Sequence, residues 1–173
     1  NIFNHIHQTS RSSAMLMKKT RAILRDLAVE VYKSSATQVV VTSSRAKMNS
    51  NDIARALASY MQSETIKIAV IDFSSNVKKL DNDSERLTIG SFVVVENAEY
   101  ISILKPTGDL AAMEMLNHRD FWGEIQSLDS TFDLVFLCAD NDDAISLLSA
   151  LEGQKTFHIT LARTKTTKST TLA

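Results

Sequence analysis

Apolar positions recur at helical spacing near the start of the chain, where Leu16, Ile23, Leu24, Leu27, Ala28 and Val31 line one side of a helix that Ser12 or Ser13 can cap. A β-branched run, Val39-Val40-Val41-Thr42, predicts a strand. The polar residues 43–51 predict a loop, and Ile53, Leu57 and Met61, spaced by four, predict a second helix. Residues 66–72 predict another strand so close to the helix end that the unit reads as βαβ, with parallel strands and a right-handed crossover.

The middle of the chain is patterned less sharply. Residues 78–86 carry charge without an apolar period and predict a surface loop. Residues 92–95 and 100–104 are short strand-like runs separated by Glu96-Asn97-Ala98-Glu99, which fits either a hairpin or one interrupted strand. Lys105-Pro106-Thr107-Gly108 has the turn chemistry to end the second run. Leu110, Met113, Leu116, Phe121 and Ile125 predict one or two helices broken near Asn117-His118. Residues 132–138 are almost wholly apolar, as a strand covered on both faces requires. A short helix over 144–151 follows, and Phe157, Ile159 and Leu161 alternate into a last strand. Strands alternating with helices predict a doubly wound, mostly parallel α/β sheet, in a single domain over residues 1–173. The three most apolar runs, 39–42, 66–71 and 132–137, are expected at its centre.

Composition narrows the function classes. A chain of 173 residues with 44% apolar composition can bury one core. Its 19 basic and 20 acidic residues leave a net charge of −1, so no strong field steers it onto nucleic acid or an anionic membrane. Cys138 is the only cysteine, which excludes an intrachain disulfide and a cysteine-based zinc site and fits a reducing compartment. No apolar run reaches the roughly 20 residues that cross a bilayer, and the first 13 residues lack a signal-peptide core. The polar ends, 1–12 and 164–173, are expected to be disordered. The whole is expected to be a cytoplasmic piece of a longer membrane protein whose spanning part lies outside this sequence.

The order of segments carries a resemblance. A helix containing Leu24-Arg25, then Val39-Val40-Val41-Thr42-Ser43-Ser44, Ile68-Ala69-Val70-Ile71-Asp72 and Phe132-Asp133-Leu134-Val135-Phe136-Leu137, resembles the cytoplasmic domain of bacterial tyrosine kinases and exopolysaccharide chain-length regulators. These belong to the wider MinD/ParA-like group of P-loop ATPases. The resemblance spans roughly residues 15 to 165 and implies a P-loop NTPase-like fold.

It also implies a lost phosphate loop. Where the family has a glycine-rich loop ending in Gly-Lys-Ser/Thr, this chain has Ser43, Ser44, Arg45, Ala46, Lys47, Met48, Asn49, Ser50, Asn51 and Asp52. By register Lys47 and Asn49 hold the two glycine places, Ser50 that of the phosphate lysine, and Asn51 and Asp52 those of the following hydroxyl residues. Side chains in glycine places obstruct a backbone that must wrap phosphate, and Asp52 sets a negative charge where an anion should arrive. The second acidic motif reads Ile71-Asp72-Phe73-Ser74 and keeps only its first carboxylate, Asp72. The third reads Leu137-Cys138-Ala139-Asp140, which puts Cys138 in the place of a magnesium-organising aspartate. Of the family's ring-assembly pattern only Arg25 remains, beside Lys19 and Ala22, and the tail has no tyrosine cluster to accept phosphate.

The other chemistry-bearing residues have plainer readings. Of Asp140, Asp142 and Asp143, one is expected to cap the following helix and the others to favour its positive end. Cys138 is expected to be buried. His5, His7, His118 and His158 lack ligand spacing, Arg163 to Lys168 reads as a solvated tail, and Asp72 as a hydrogen-bonded strand end. The resemblance therefore implies a non-catalytic interaction or regulatory domain in a polysaccharide export or assembly complex, at the inner-membrane face. It implies protein partners or self-association, no nucleic acid, and no cofactor or metal. The alternatives are a remodelled ATPase using Lys47 and Asp72, and a stand-alone MinD/ParA-like scaffold.

Overall fold

The first helix, α1 (Ser12–Ser34), turns Ala28 and Val31 fully inward and packs Leu24 and Leu27 at the margin of the core. Ile23, expected on that apolar side, is 57% exposed because it stands on the flank of the stripe. In this computed structural model the described residues are 12–44, 49–73, 87–106, 115–117 and 120–161, with side chains in α1 from Lys18 onward. The predicted loop at 78–86, Leu110, Met113, His118 and both chain ends lie outside them.

After α1 come β1 (Gln38–Ser43), α2 (Ser50–Met61), β2 (Ile68–Asp72), β3 (Thr88–Ile89), β4 (Phe92–Ala98) and β5 (Ile101–Pro106). Then follow α3 (Phe121–Gln126) with a 3₁₀ turn (Ser127–Ser130), β6 (Leu134–Asp140), α4 (Asn141–Ala150) and β7 (Phe157–Leu161). The strands form one seven-stranded sheet in the order β3-β4-β5-β2-β6-β1-β7. The five from β5 to β7 are parallel, and β4 and β3 add an antiparallel margin. The architecture is thus a mixed α/β fold with a mostly parallel sheet. The three most apolar runs supply the interior neighbours β2, β6 and β1, with β6 between the other two.

Strand alternation sends successive side chains to opposite faces. Val39, Val41, Ile68, Val70, Phe136 and Cys138 meet α1 and α2 on one face. Val40, Ala69, Ile71, Val135, Leu137 and Ala139 meet α3, the 3₁₀ turn and α4 on the other. Phe73, just past β2, closes the second face with its ring edge-on to Phe121, centroids 5.7 Å apart. Both faces are covered, which is why β1 and β6 read as nearly unbroken apolar runs.

Residues 92–106 settle as a hairpin, with two differences from the sequence reading. Glu96, Asn97 and Ala98 continue β4, and the reversal falls on Glu99 and Tyr100, where Glu99 takes a left-handed φ of 50°. Lys105 and Pro106 are the last residues of β5, with Pro106 opposite Phe92, and Thr107 and Gly108 of the expected turn lie outside the described residues. The ladder shifts register between Val94 and Glu96, a bulge of the kind that absorbs an extra residue in a strand near a sheet margin. Among the described residues, no helix is long and apolar enough to cross a membrane.

Candidate functional site

The parallel strands end together at their carboxyl edge, where α/β sheets usually place their ligands. Ser43 lies in register with Asp140, and Asp72 with Cys138, so the ends of β1, β2 and β6 bring three of the residues singled out by the sequence to one edge beside Cys138. Ser44, Asn49, Ser50, Asn51 and Asp52 flank that edge. Arg45, Ala46, Lys47 and Met48 lie outside the described residues.

Helix α2 begins one turn earlier than its apolar spacing predicts. Asn49 is extended (φ −85°, ψ 128°) and its side-chain oxygen accepts the Asn51 N–H at 2.8 Å, a conventional N-cap that places Ser50 and Asn51 in the helix and not in the loop. The Ser50 N–H is taken from further away. It donates at 2.9 Å to Oδ1 of Asp140, and the same oxygen accepts the Ser43 hydroxyl at 2.5 Å. One carboxylate thereby ties β1, α2 and the end of β6 together. Asp52 adds a second acid in the first turn of α2, where the helix dipole favours negative charge.

The sequence expects one of Asp140, Asp142 and Asp143 to cap α4, and the residue at that place is Asp140. It occupies the N-cap position (φ −120°, ψ 150°) but makes no side-chain cap bond, because its carboxylate is turned toward Ser43 and Ser50. Asp142 and Asp143 lie in the first turn, as the dipole reading expects. The chain leaves Asp140 through Asn141 at φ 53°, a left-handed conformation that asparagine tolerates better than most residues. The Ser50 hydroxyl, fully buried beside this cluster, has no hydrogen-bond partner among the described residues. Leaving such a group unpaired typically costs about 1–3 kcal/mol.

Cys138 faces α2 and is 0% exposed. Its thiol donates to the Ile71 carbonyl at 3.4 Å and accepts from Nδ2 of Asn51 at 3.7 Å. Burial pushes its pKa well above the ordinary thiol value, the Asp72 charge pushes it further, and the Asn51 contact pulls it back only in part. Asn51 is itself steadied by Arg55, whose Nε donates to Oδ1 at 2.7 Å while its other end pairs with Glu96 at 3.0 Å. A buried, protonated thiol reacts slowly. Folded protein treated with a thiol reagent at neutral pH is expected to label Cys138 far more slowly than protein in denaturant. Rapid stoichiometric labelling of the native state would overturn this placement.

A second feature of the same edge lies on the α4 face. A cavity of about 330 Å³ opens between α4 and the ends of β1 and β7, lined by Thr42, Ser44, Asp142, Ile145, Leu148 and His158 among others. Nε2 of His158 is 2.8 Å from the Thr42 hydroxyl and 3.4 Å from that of Thr160, and burial lowers the histidine's pKa. The alternation of Phe157, Ile159 and Leu161 already implied that His158 and Thr160 share the opposite side, the signal that could have drawn them together with Thr42.

Whether this edge fits a nucleotide can be judged from its donors. A phosphate at the start of α2 needs free backbone N–H groups there, but the N–H groups of Ser50 and Asn51 are given to Asp140 and Asn49. Magnesium needs oxygen ligands, but the position beside Asp72 holds a sealed thiol. Among the described residues no three His, Cys, Asp or Glu side chains are grouped to hold a metal. Among the described residues, the donors and the sealed thiol at this edge do not fit a magnesium nucleotide. Comparison with protein families, curated proteins and solved structures finds no match to this chain.

Proposed function

We propose that the chain is a non-catalytic interaction or regulatory domain whose phosphate-binding end is closed by its own side chains. The observation that supports this is the Asp140 carboxylate on the Ser50 N–H, an internal anion where a phosphate would otherwise sit. The setting, a cytoplasmic part of an exopolysaccharide biosynthesis or export protein at the inner-membrane face, rests on the order of segments from Leu24-Arg25 to Leu137. Deleting the region in a producing cell is expected to alter polymer chain length; an unchanged polymer would remove that setting.

Calorimetric titration tests the loss of nucleotide binding. Charge-assisted contacts are each worth roughly 1.5–3 kcal/mol, and about 1.4 kcal/mol is tenfold in affinity, so the loss of several leaves no measurable binding. ATP or ADP with magnesium is expected to give no saturable heat and no hydrolysis. A dissociation constant below about 100 µM, roughly −5.5 kcal/mol, would sink the proposal and favour a remodelled ATPase acting through Lys47 and Asp72.

A further inference from the structure

We propose that the amino end of α2 is an oxyanion site held shut in cis by Asp140, whose carboxylate occupies the place that a phosphate-type anion would take. This rests on the closed-site reading above and names the device that closes it.

Three observations meet at this point. Asp140 stands where it should cap its own helix, yet its Oδ1 reaches a hydroxyl and an N–H that are 97 and 90 residues away in sequence. The backbone passes from it into a left-handed residue, Asn141, so the local structure is not arranged for the conventional cap. Independently, the Ser50 hydroxyl at the first position of α2 is fully buried and has no partner among the described residues. Through one oxygen, a carboxylate satisfies the Ser50 N–H and the Ser43 hydroxyl. A tetrahedral oxyanion presents further oxygens, and one of these can accept the stranded Ser50 hydroxyl. Helix α2 is 12 residues long, long enough for its amino end to favour negative charge.

A tethered carboxylate also has an advantage over a free anion, because it gives up no translational freedom on binding. The wild-type site therefore stays closed to ordinary phosphate, and removing the tethered competitor opens it.

The test follows the Ser50 amide signal of ¹⁵N-labelled full chain during titration with inorganic phosphate, pyrophosphate and ATP. Wild type is compared with Asp140→Ala and with Asp142→Ala, which removes the same charge from the first turn of α4. Asp140→Ala is expected to give a saturable shift at Ser50 with affinity at least about tenfold above both wild type and Asp142→Ala, as one recovered charge-assisted contact implies. Adding Ser50→Ala to Asp140→Ala is expected to weaken it several-fold. If Asp140→Ala does not fold, Asp140→Ser against Asp142→Ser carries the same comparison, since the shorter side chain withdraws the carboxylate oxygen from Ser50 and keeps a polar strand end.

A folded Asp140 variant without a saturable shift overturns the proposal. So does an equal gain in the Asp142 variant, which would be a bare effect of net charge. A gain with phosphate and pyrophosphate that ATP does not exceed assigns the site to the phosphate group itself, and a stronger response to ATP assigns it to a nucleotide. The two readings fail separately. Tight binding of ATP by wild type removes the proposed function, whereas a silent Asp140 variant removes only the plug.

Discussion

Replacing Phe136 by alanine is expected to lower the unfolding free energy by about 3–5 kcal/mol, the usual cost of emptying a large aromatic site in a packed core. Phe136 lies in β6, has no exposed surface, and faces α1 and α2 together with Val39 and Val70, in the same core cluster as Leu57 of α2. Its strand is paired on both sides, with Phe136 opposite Val39 of β1 and Val70 of β2, so the sheet cannot collapse inward to fill the gap. For a chain of this length the loss corresponds to roughly 6–20 °C in Tm. Urea or thermal melts measure it directly. A loss below about 1 kcal/mol would mean that Phe136 stands on a surface.

The second large effect concerns Cys138. Cys138→Asp returns a carboxylate to the place where the family resemblance expects one, yet it is predicted to be strongly destabilising and to restore no nucleotide binding. The position is sealed, and the burial and Asp72 charge that hold the thiol's pKa up act equally against a carboxylate. An uncompensated buried charge costs on the order of 3–5 kcal/mol.

The pH dependence has a definite sign. The introduced carboxyl has a folded pKa raised above its unfolded value of about 3.9. The deficit is therefore smallest below that value and grows as pH rises, by about 1.4 kcal/mol per pH unit, until the folded pKa is passed. Cys138→Asn, similar in shape and uncharged, isolates this term. Urea melts near pH 4.5 and pH 7 should show the Asp variant falling away from the Asn variant as pH increases. Equal stability of the two at neutral pH would mean that water reaches the site, and magnesium-dependent ATP binding by Cys138→Asp would end the closed-site reading.

The central strands were legible because burial on both faces leaves little freedom of choice. Val39-Val40-Val41 and residues 134–139 have to be apolar on successive positions to lie between two helical layers. The hairpin was ambiguous for the opposite reason. The outer half of β4 is exposed, so Glu96 and Asn97 cost nothing there and mimic a turn, whereas the actual reversal at Glu99 and Tyr100 carries neither Gly nor Asn. The start of α2 turned on one residue: Asn49 is a favoured N-cap, but the polar run 43–51 hides which of its residues is used.

At the candidate site, Ser43, Ser50 and Asp72 were identified as positions, and their chemistry was not. The partner shared by Ser43 and Ser50 is Asp140, and local preference offered that residue a cap on its own helix. Choosing between a near backbone and two distant donors takes three-dimensional proximity, which no local pattern encodes. Cys138 could be placed because its apolar neighbours in the same strand already implied burial.

The position of β6 between β1 and β2 also sets the order in which the chain can assemble. β1 and β2 are joined by α2 but never touch; each pairs with β6, a strand that is synthesised some sixty residues after β2 ends. A chain emerging from the ribosome that has reached Pro106 can pair β2 with β5 and β5 with β4. At that stage β1 has neither of its neighbours, since both β6 and β7 are still to come. Its three consecutive buried valines then form an unpaired, sticky edge. Assembly must wait for a late strand to be threaded between two early ones, which makes folding slow and non-local and makes truncated chains prone to aggregate.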